Sequence, residues 1–231
     1  MNESRFRDIV KQVMALADGT AVEILFAVQR EALARFGNNV VSQHIETGNT
    51  EAVIRVQKGK RQGRASCNQF DPATLERTVR KAVQIASVQP EDPALLPFPE
   101  PQSYQPLSHS VPATLAVTPD EKVDQIRRAV SLCKKKKTTA AGIFSHGMQA
   151  VGLANSNGLF AYNDYTSASY SVTVMADDSS GWADSTQPNI HAVHPESLTS
   201  VALEKALAGR RPRPLPPPAV RLACRAAGNG R

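Results

Sequence analysis

Gly63-Arg64-Ala65-Ser66-Cys67-Asn68-Gln69 is answered further along the chain by Gly181-Trp182-Ala183-Asp184-Ser185-Thr186-Gln187, with glycine, alanine and glutamine recurring at one offset. Each stretch follows a short β-branched run, Ile54-Arg55-Val56 in the first case and Val172-Thr173-Val174 in the second. Beyond them, Asp71-Pro72-Ala73-Thr74-Leu75 corresponds to His194-Pro195-Glu196-Ser197-Leu198 after a five-residue insertion. Strand, turn and proline-started helix therefore occur twice, which reads as an internal duplication.

Working outward, Phe6, Ile9, Val10, Val13, Met14 and Ala17 recur with a helical period and predict an amphipathic helix before the first copy. Strand-like runs follow at 22–30, 40–46 and 52–57, with Gly48-Asn49 and Lys58-Gly59 as turns. Asp71 suits an N-cap and Pro72 the first helical position, while Leu75, Val79, Ala82, Val83 and Ala86 form the buried face of a second helix. The second copy opens on Thr118-Pro119-Asp120-Glu121, a capping box ahead of Val123, Ile126, Val130 and Cys133. Its strand-like runs fall at 148–154, 159–165 and 169–176, Asn155-Ser156-Asn157-Gly158 makes a hairpin turn, and His194-Pro195 begins the last helix.

The expected fold is thus α+β: two sequential helix/antiparallel-sheet/helix half-repeats, residues 1–87 and 119–209, with helices covering one face of each sheet. Eight of the sixteen prolines lie between residues 88 and 119, so segment 88–118 reads as a semi-rigid linker between two compact segments. Residues 210–231 form a Pro/Arg-rich tail without apolar period or acidic residue. It reads as the truncated or frameshifted start of a missing carboxy-terminal domain.

With 231 residues, 41% hydrophobic and 21% charged, the composition is that of a globular protein. The first residues include Glu3, Arg5, Arg7 and Asp8, and no long apolar run occurs, so neither a signal peptide nor a spanning helix is expected and the location reads as cytoplasmic. The net charge of +6 is carried by Arg210, Arg211, Arg213, Arg221, Arg225 and Arg231 in the tail, which leaves residues 1–208 neutral. That distribution argues against a phosphate-binding surface on the folded part and confines any nucleic-acid reading to the tail. The lysine run 134–137 ends a predicted helix, where cations favour the negative end of the macrodipole. Cys67, Cys133 and Cys224 are scattered and unpaired in pattern, so they read as ordinary thiols.

Candidate chemistry is sparse. A zinc peptidase needs imidazoles spaced to meet one ion and a glutamate to take a proton from the metal-bound water. None of His44, His109, His146, His191 or His194 is followed by glutamate. The spacing of His191 and His194 allows a metal together with Glu196, but a loop pair without a clear third ligand also reads as surface decoration. Ser145-His146 and the serine-rich stretch 167–171 lack the G-x-S-x-G elbow of an acyl-transfer nucleophile. The glycines at 142, 147, 152 and 158 form no phosphate loop, and Asn155 to Gly158 is better explained as a turn needing a positive φ. Trp182 is either a substrate platform or a core and edge residue. No catalytic, metal-ligating or substrate-binding residue is therefore assigned.

The order of these features resembles the TldD/PmbA family. The features are the strand ending in Gly63-Arg64-Ala65-Ser66, the helix over 71–87, the proline-rich linker, Leu153-Ala154-Asn155-Ser156-Asn157-Gly158, Gly181-Trp182-Ala183 and a helix over 198–207. The resemblance spans residues 20–210. It implies a two-domain subunit whose carboxy-terminal domain carries a His-Glu-x-x-x-His motif and a later cysteine as its zinc site, in a dimer that cleaves unfolded peptides inside a cavity. No position of this chain matches those ligands, so none is carried over and no zinc is expected in this chain. Members of the PmbA type lack the metal site and partner a catalytic TldD type; which type this chain represents stays open. The expected role is the amino-terminal, non-catalytic part of such a metalloprotease, in a homo- or heterodimer acting on unfolded peptide. The alternatives are a stand-alone peptide- or protein-binding module and, through the tail, a nucleic-acid binder.

Overall fold

The chain starts its first helix at Asn2, whose side chain accepts from the backbone N–H of Arg5 at 3.0 Å, the N-cap bond that satisfies one orphan donor of the first turn. In a computed structural model, which describes residues 2–105, 107 and 109–213, this helix α1 (Glu3–Leu16) precedes a three-stranded meander, β1 (Ala21–Gly37), β2 (Val40–Lys58) and β3 (Arg61–Cys67). Helix α2 (Pro72–Val88) closes the first half, started by Asp71, which accepts from Thr74 N at 3.0 Å. After the linker and a short helix α3 (Pro112–Leu115), the order recurs as α4 (Pro119–Lys135), β4 (Thr139–Asn155), β5 (Phe160–Met175), β6 (Ser180–Gln187), a 3-10 turn at Ile190–Ala192 and α5 (Pro195–Ala208). The α4 capping box forms in full, Thr118 and Glu121 each bonding the other's backbone.

The strands are longer than their sequence signals. Gly48-Asn49 is not a turn: β2 runs straight through it, with Gly48 paired to Arg30 and Asn49 to Gln29. The real turn is Asn38-Asn39, at φ 50° and 61°, the left-handed pair that a two-residue hairpin demands. Asn39 then bonds the start of β4, accepting from Ala140 N at 2.8 Å and donating to Thr138 O at 2.9 Å. In the second half, the runs at 159–165 and 169–176 merge into the single strand β5.

The two halves share one sheet. β1 and β4 pair antiparallel from Glu23↔Asn155 to Phe36↔Gly142, giving the order β3-β2-β1-β4-β5-β6. Each half borrows the other's central strand for its core. Ala150 and Ala154 of β4 complete the cluster around Phe6, Ile24, Ile54 and Leu75, and Ala34 and Phe36 of β1 complete the one around Ile126, Phe144, Tyr170 and Leu203. Neither half therefore buries its apolar surface alone. The 88–118 segment is strapped to the sheet rather than spanning open space. Asp92 N bonds Lys60 O, Gln57 Nε2 bonds Leu96 O, Phe98 is buried, and the chain rejoins the sheet where Thr166 N bonds His109 O.

The duplicated glycines have a packing reason. A Cβ on Gly63 would lie 2.0 Å from Ala82 O and 2.4 Å from Ala86 N, and one on Gly181 2.0 Å from Ala202 O and 2.7 Å from Ala206 N. Each closing helix lies directly on strand backbone through a pair of alanines. α2 has 17 residues and α5 has 14; the shortfall of three, nearly one turn, falls before the contact, so the helix starts are out of step while the docking points agree. Gly63→Ala or Gly181→Ala is expected to cost about 2 kcal/mol, since backbone rather than a pliable side chain blocks the methyl. Urea unfolding of each variant checks this, and a loss below about 0.5 kcal/mol would show that the helix slides aside freely.

Candidate functional site

Because side chains alternate across a strand, the residues of β1 that face the helices are Ile24, Phe26, Val28, Arg30, Ala32, Ala34 and Phe36. Ala32 pairs with Glu46 on one side and with His146 on the other, and Arg30 pairs with Gly48 and Met148. At this level the helical layers of the two halves part. The small side chain of Ala32 and the bare backbone of Gly48 leave the sheet floor low, and Leu115 and Val117, just ahead of α4, form a wall. The result is a cavity of about 420 Å³ on the seam between the halves, lined among others by Arg30, Glu46, His146 and Met148.

Two polar groups at this seam have no partner. His146 is 7% exposed and its Nδ1 makes no hydrogen bond; Lys122, in the first turn of α4, is 0% exposed and its Nζ makes none either. Burial pushes the His146 imidazole down to about 4, the Lys122 charge adds to the depression, and Glu46 opposes it. Burial likewise holds the Lys122 ammonium below its ordinary range, with Glu46 again opposing. Glu46 is exposed and forms no ion pair with Lys122, so the lysine carries a desolvated charge without a contacting counter-ion among the described residues.

The residues singled out from sequence lie elsewhere. His191 sits in the 3-10 turn and His194 at the start of α5, both exposed. Glu196, their possible companion, is held by Arg128 at 2.9 Å. Among the described residues no group of three or more His, Cys, Asp or Glu side chains is placed to hold a metal ion. Ser145 and His146, as neighbours in a strand, point to opposite faces of the sheet and form no dyad. Ser169 and Ser171 instead accept from Thr186 and from Trp182 Nε1, both at 3.1 Å, in a polar ladder on the open face. Trp182 lies on edge strand β6 and is 53% exposed. The thiols of Cys67 and Cys133 are pushed up by burial, which suppresses the thiolate; Cys224 lies outside the described residues, as does the tail from 214 on.

Asn155-Ser156-Asn157-Gly158 has a structural job. Asn155 Oδ1 accepts from Asn157 N at 3.0 Å and Leu159 N at 3.2 Å, and Gly158 takes φ 93°. The amides of Asn155 and Asn157 then donate to Pro99 O and Phe98 O, both at 2.8 Å, clamping the proline-rich strap. Phe98 in turn covers the guanidinium of Arg55, which is paired with the buried Glu23. No helix among the described residues is long and apolar enough to cross a membrane.

Comparison with known proteins agrees with this arrangement. Residues 22–86 match the model described as PmbA/TldA metallopeptidase domain 1, and residues 113–210 that of the PmbA/TldA metallopeptidase central domain. A candidate modulator of a DNA gyrase from Thermotoga maritima shares the fold with a TM-score of 0.78 at 20% identity, over 87% of this chain and 48% of its own. TldE from Thermococcus kodakarensis does so with a TM-score of 0.77 at 17% identity, over 87% and 47%. A further candidate modulator of DNA gyrase, from Bacteroides thetaiotaomicron, gives 0.73 at 14% identity, over 90% and 50%. The chain spans about half the length of these solved structures, and no curated protein matches it significantly. With two successive domain models matched in order over well more than half of its residues, the chain belongs to the PmbA/TldD metallopeptidase family.

Proposed function

We propose that the chain forms the amino-terminal, non-catalytic part of a PmbA/TldD-type metallopeptidase, shaping the wall of a compartment in which unfolded peptide is cut by residues that lie elsewhere. The observation that carries this reading is the tandem match to domain 1 and the central domain, on a fold shared over about half of each longer relative. The zinc that the family implies does not fit the described residues: the His191 and His194 pair has no convergent third ligand, because Glu196 is committed to Arg128. No step of peptide hydrolysis is therefore assigned to this chain. The metal belongs to catalytic members of the family, with which this chain would associate as a homo- or heterodimer in the cytoplasm.

Two features of the sheet favour that role. Strands β3 and β6 are its edges and offer main-chain groups to an extended peptide. Its uncovered face exposes Leu25, Ile143 and Val151 at 40%, 38% and 48%, apolar side chains of the kind that a neighbouring domain or subunit covers.

Purified alone with added zinc, the chain is expected to leave a fluorogenic unfolded peptide intact. Added to a catalytic full-length family subunit, it is expected to change the cleavage rate. Zinc-dependent hydrolysis by the isolated chain would overturn the non-catalytic assignment. An unchanged rate in the mixture would favour a stand-alone binding module instead.

A further inference from the structure

The seam cavity leaves a lysine in an unusual position. A buried ammonium without a hydrogen-bond acceptor costs several kcal/mol relative to a paired one, so such a group in a folded protein calls for an acceptor that arrives from outside. The acceptor must be small enough for about 420 Å³ and anionic on the side that meets Lys122. Arg30 lines the same space and forms no ion pair among the described residues, so a second cation is free to share the anion. The other lining is apolar: Leu115 and Val117 on the wall and Met148 beside His146. A charged head beside two cations and an aliphatic body against three apolar side chains together describe an aliphatic carboxylate.

We propose that this seam is a carboxylate-binding site, in which Lys122 and Arg30 hold the carboxylate, His146 Nδ1 adds a hydrogen bond, and an aliphatic stem lies on Leu115, Val117 and Met148. Lysine suits the task because its compact charge on a four-carbon stem follows a ligand head more easily than a fixed fork does. The low sheet floor at Ala32 is what admits the stem, and Glu46, facing His146 across Ala32, marks the end of the site that a second carboxylate would avoid. The site needs no catalytic partner and stands independently of the function proposed above. Both a free short-chain acid and the carboxy-terminus of a peptide present this chemistry.

The test uses the full chain and three probes, followed by calorimetry and by the His146 Cε1–H resonance: butyrate, N-acetyl-Ala-Leu as free acid, and the same dipeptide as carboxamide. At least one acid is expected to bind and shift His146, and the carboxamide is expected not to. Binding of butyrate as well as the dipeptide acid identifies a free short-chain acid as a sufficient ligand. Binding of the dipeptide acid alone identifies a peptide terminus. Lys122→Met, which keeps the buried volume, and Arg30→Gln, on the cavity rim, are each expected to weaken the acid at least tenfold, while Glu46→Gln leaves it unchanged or tighter. Absence of binding by both acids, equal binding of the carboxamide, or full affinity in both the Lys122 and Arg30 variants would overturn the proposal.

Discussion

Phe6→Ala is expected to destabilise the fold by about 4 kcal/mol, near the upper part of the range for truncating a fully buried phenylalanine. Phe6 is 0% exposed and lies within 5.2 Å of the Phe26 ring, 5.4 Å of Phe160 and 6.1 Å of Tyr162, centroid to centroid. Beneath it is Gly152, where a Cβ would come within 2.4 Å of the Phe6 ring, so the ring lies flat on β4 backbone. A glycine floor has no side chain with which to fill the hole that alanine would leave. The hole would also lie on the joint between the halves, because Phe6 and Phe26 come from the first and Phe160 and Tyr162 from the second. Urea unfolding should therefore show one cooperative transition at a lower midpoint, with no separate loss of α1. Phe6→Leu, which keeps most of the volume, should cost only about 1 kcal/mol. A loss below about 1 kcal/mol for the alanine variant, or a two-step transition, would contradict the account of a shared core.

Local chemistry made the helices legible and long-range register hid the site. Asn2 escaped attention, but the Asp71 cap, the Thr118–Glu121 capping box and the proline starts are each written within four consecutive residues, and each forms. Gly63 and Gly181 were visible as a repeat because close packing onto a helix admits only glycine in both copies. Gly48-Asn49 misled because turn propensity is a local prior, overridden here by a continuous ladder to β1 on the other side. The far half of β1, Glu31-Ala32-Leu33-Ala34-Arg35, is composed of helix formers and takes its strand form from partners on both sides. The β1–β4 pairing joins residues more than a hundred positions apart, and no pattern in either strand announces it. His146 and Lys122 follow from that pairing and from α4 docking beside it, so the sequence shows them only as one histidine and one lysine among several.

The His146 environment makes the second large effect a dependence on pH. Its imidazole is held at about 4 against an ordinary value of 6.5, first by burial and then by the Lys122 charge, with Glu46 pulling the other way and His44 adding a small push down. A group whose folded value lies below its unfolded one is bound to fewer protons in the folded state between those two values. Stability is therefore full above about pH 6.5 and falls as the pH drops from about 6.5 to about 4, by about 3 kcal/mol from this residue, at 1.36 kcal/mol per unit. The other groups facing it act outside that window or do not titrate in it. Lys122 from α4 is lowered from the alkaline range, and Arg30 from β1 stays charged. The carboxylates Asp71 and Glu121, lowered by bonds to Thr74 and Thr118, lose their contribution only below the ordinary carboxylate range. The upper part of the acid slope thus belongs to His146, and His146→Gln should flatten it. Lys122→Met should move the His146 titration upward from about 4 while leaving the burial contribution in place, a change that histidine NMR reads directly. A His146 that titrates near 6.5 in the intact chain would mean that the seam is open to water and its two polar atoms are not orphaned after all.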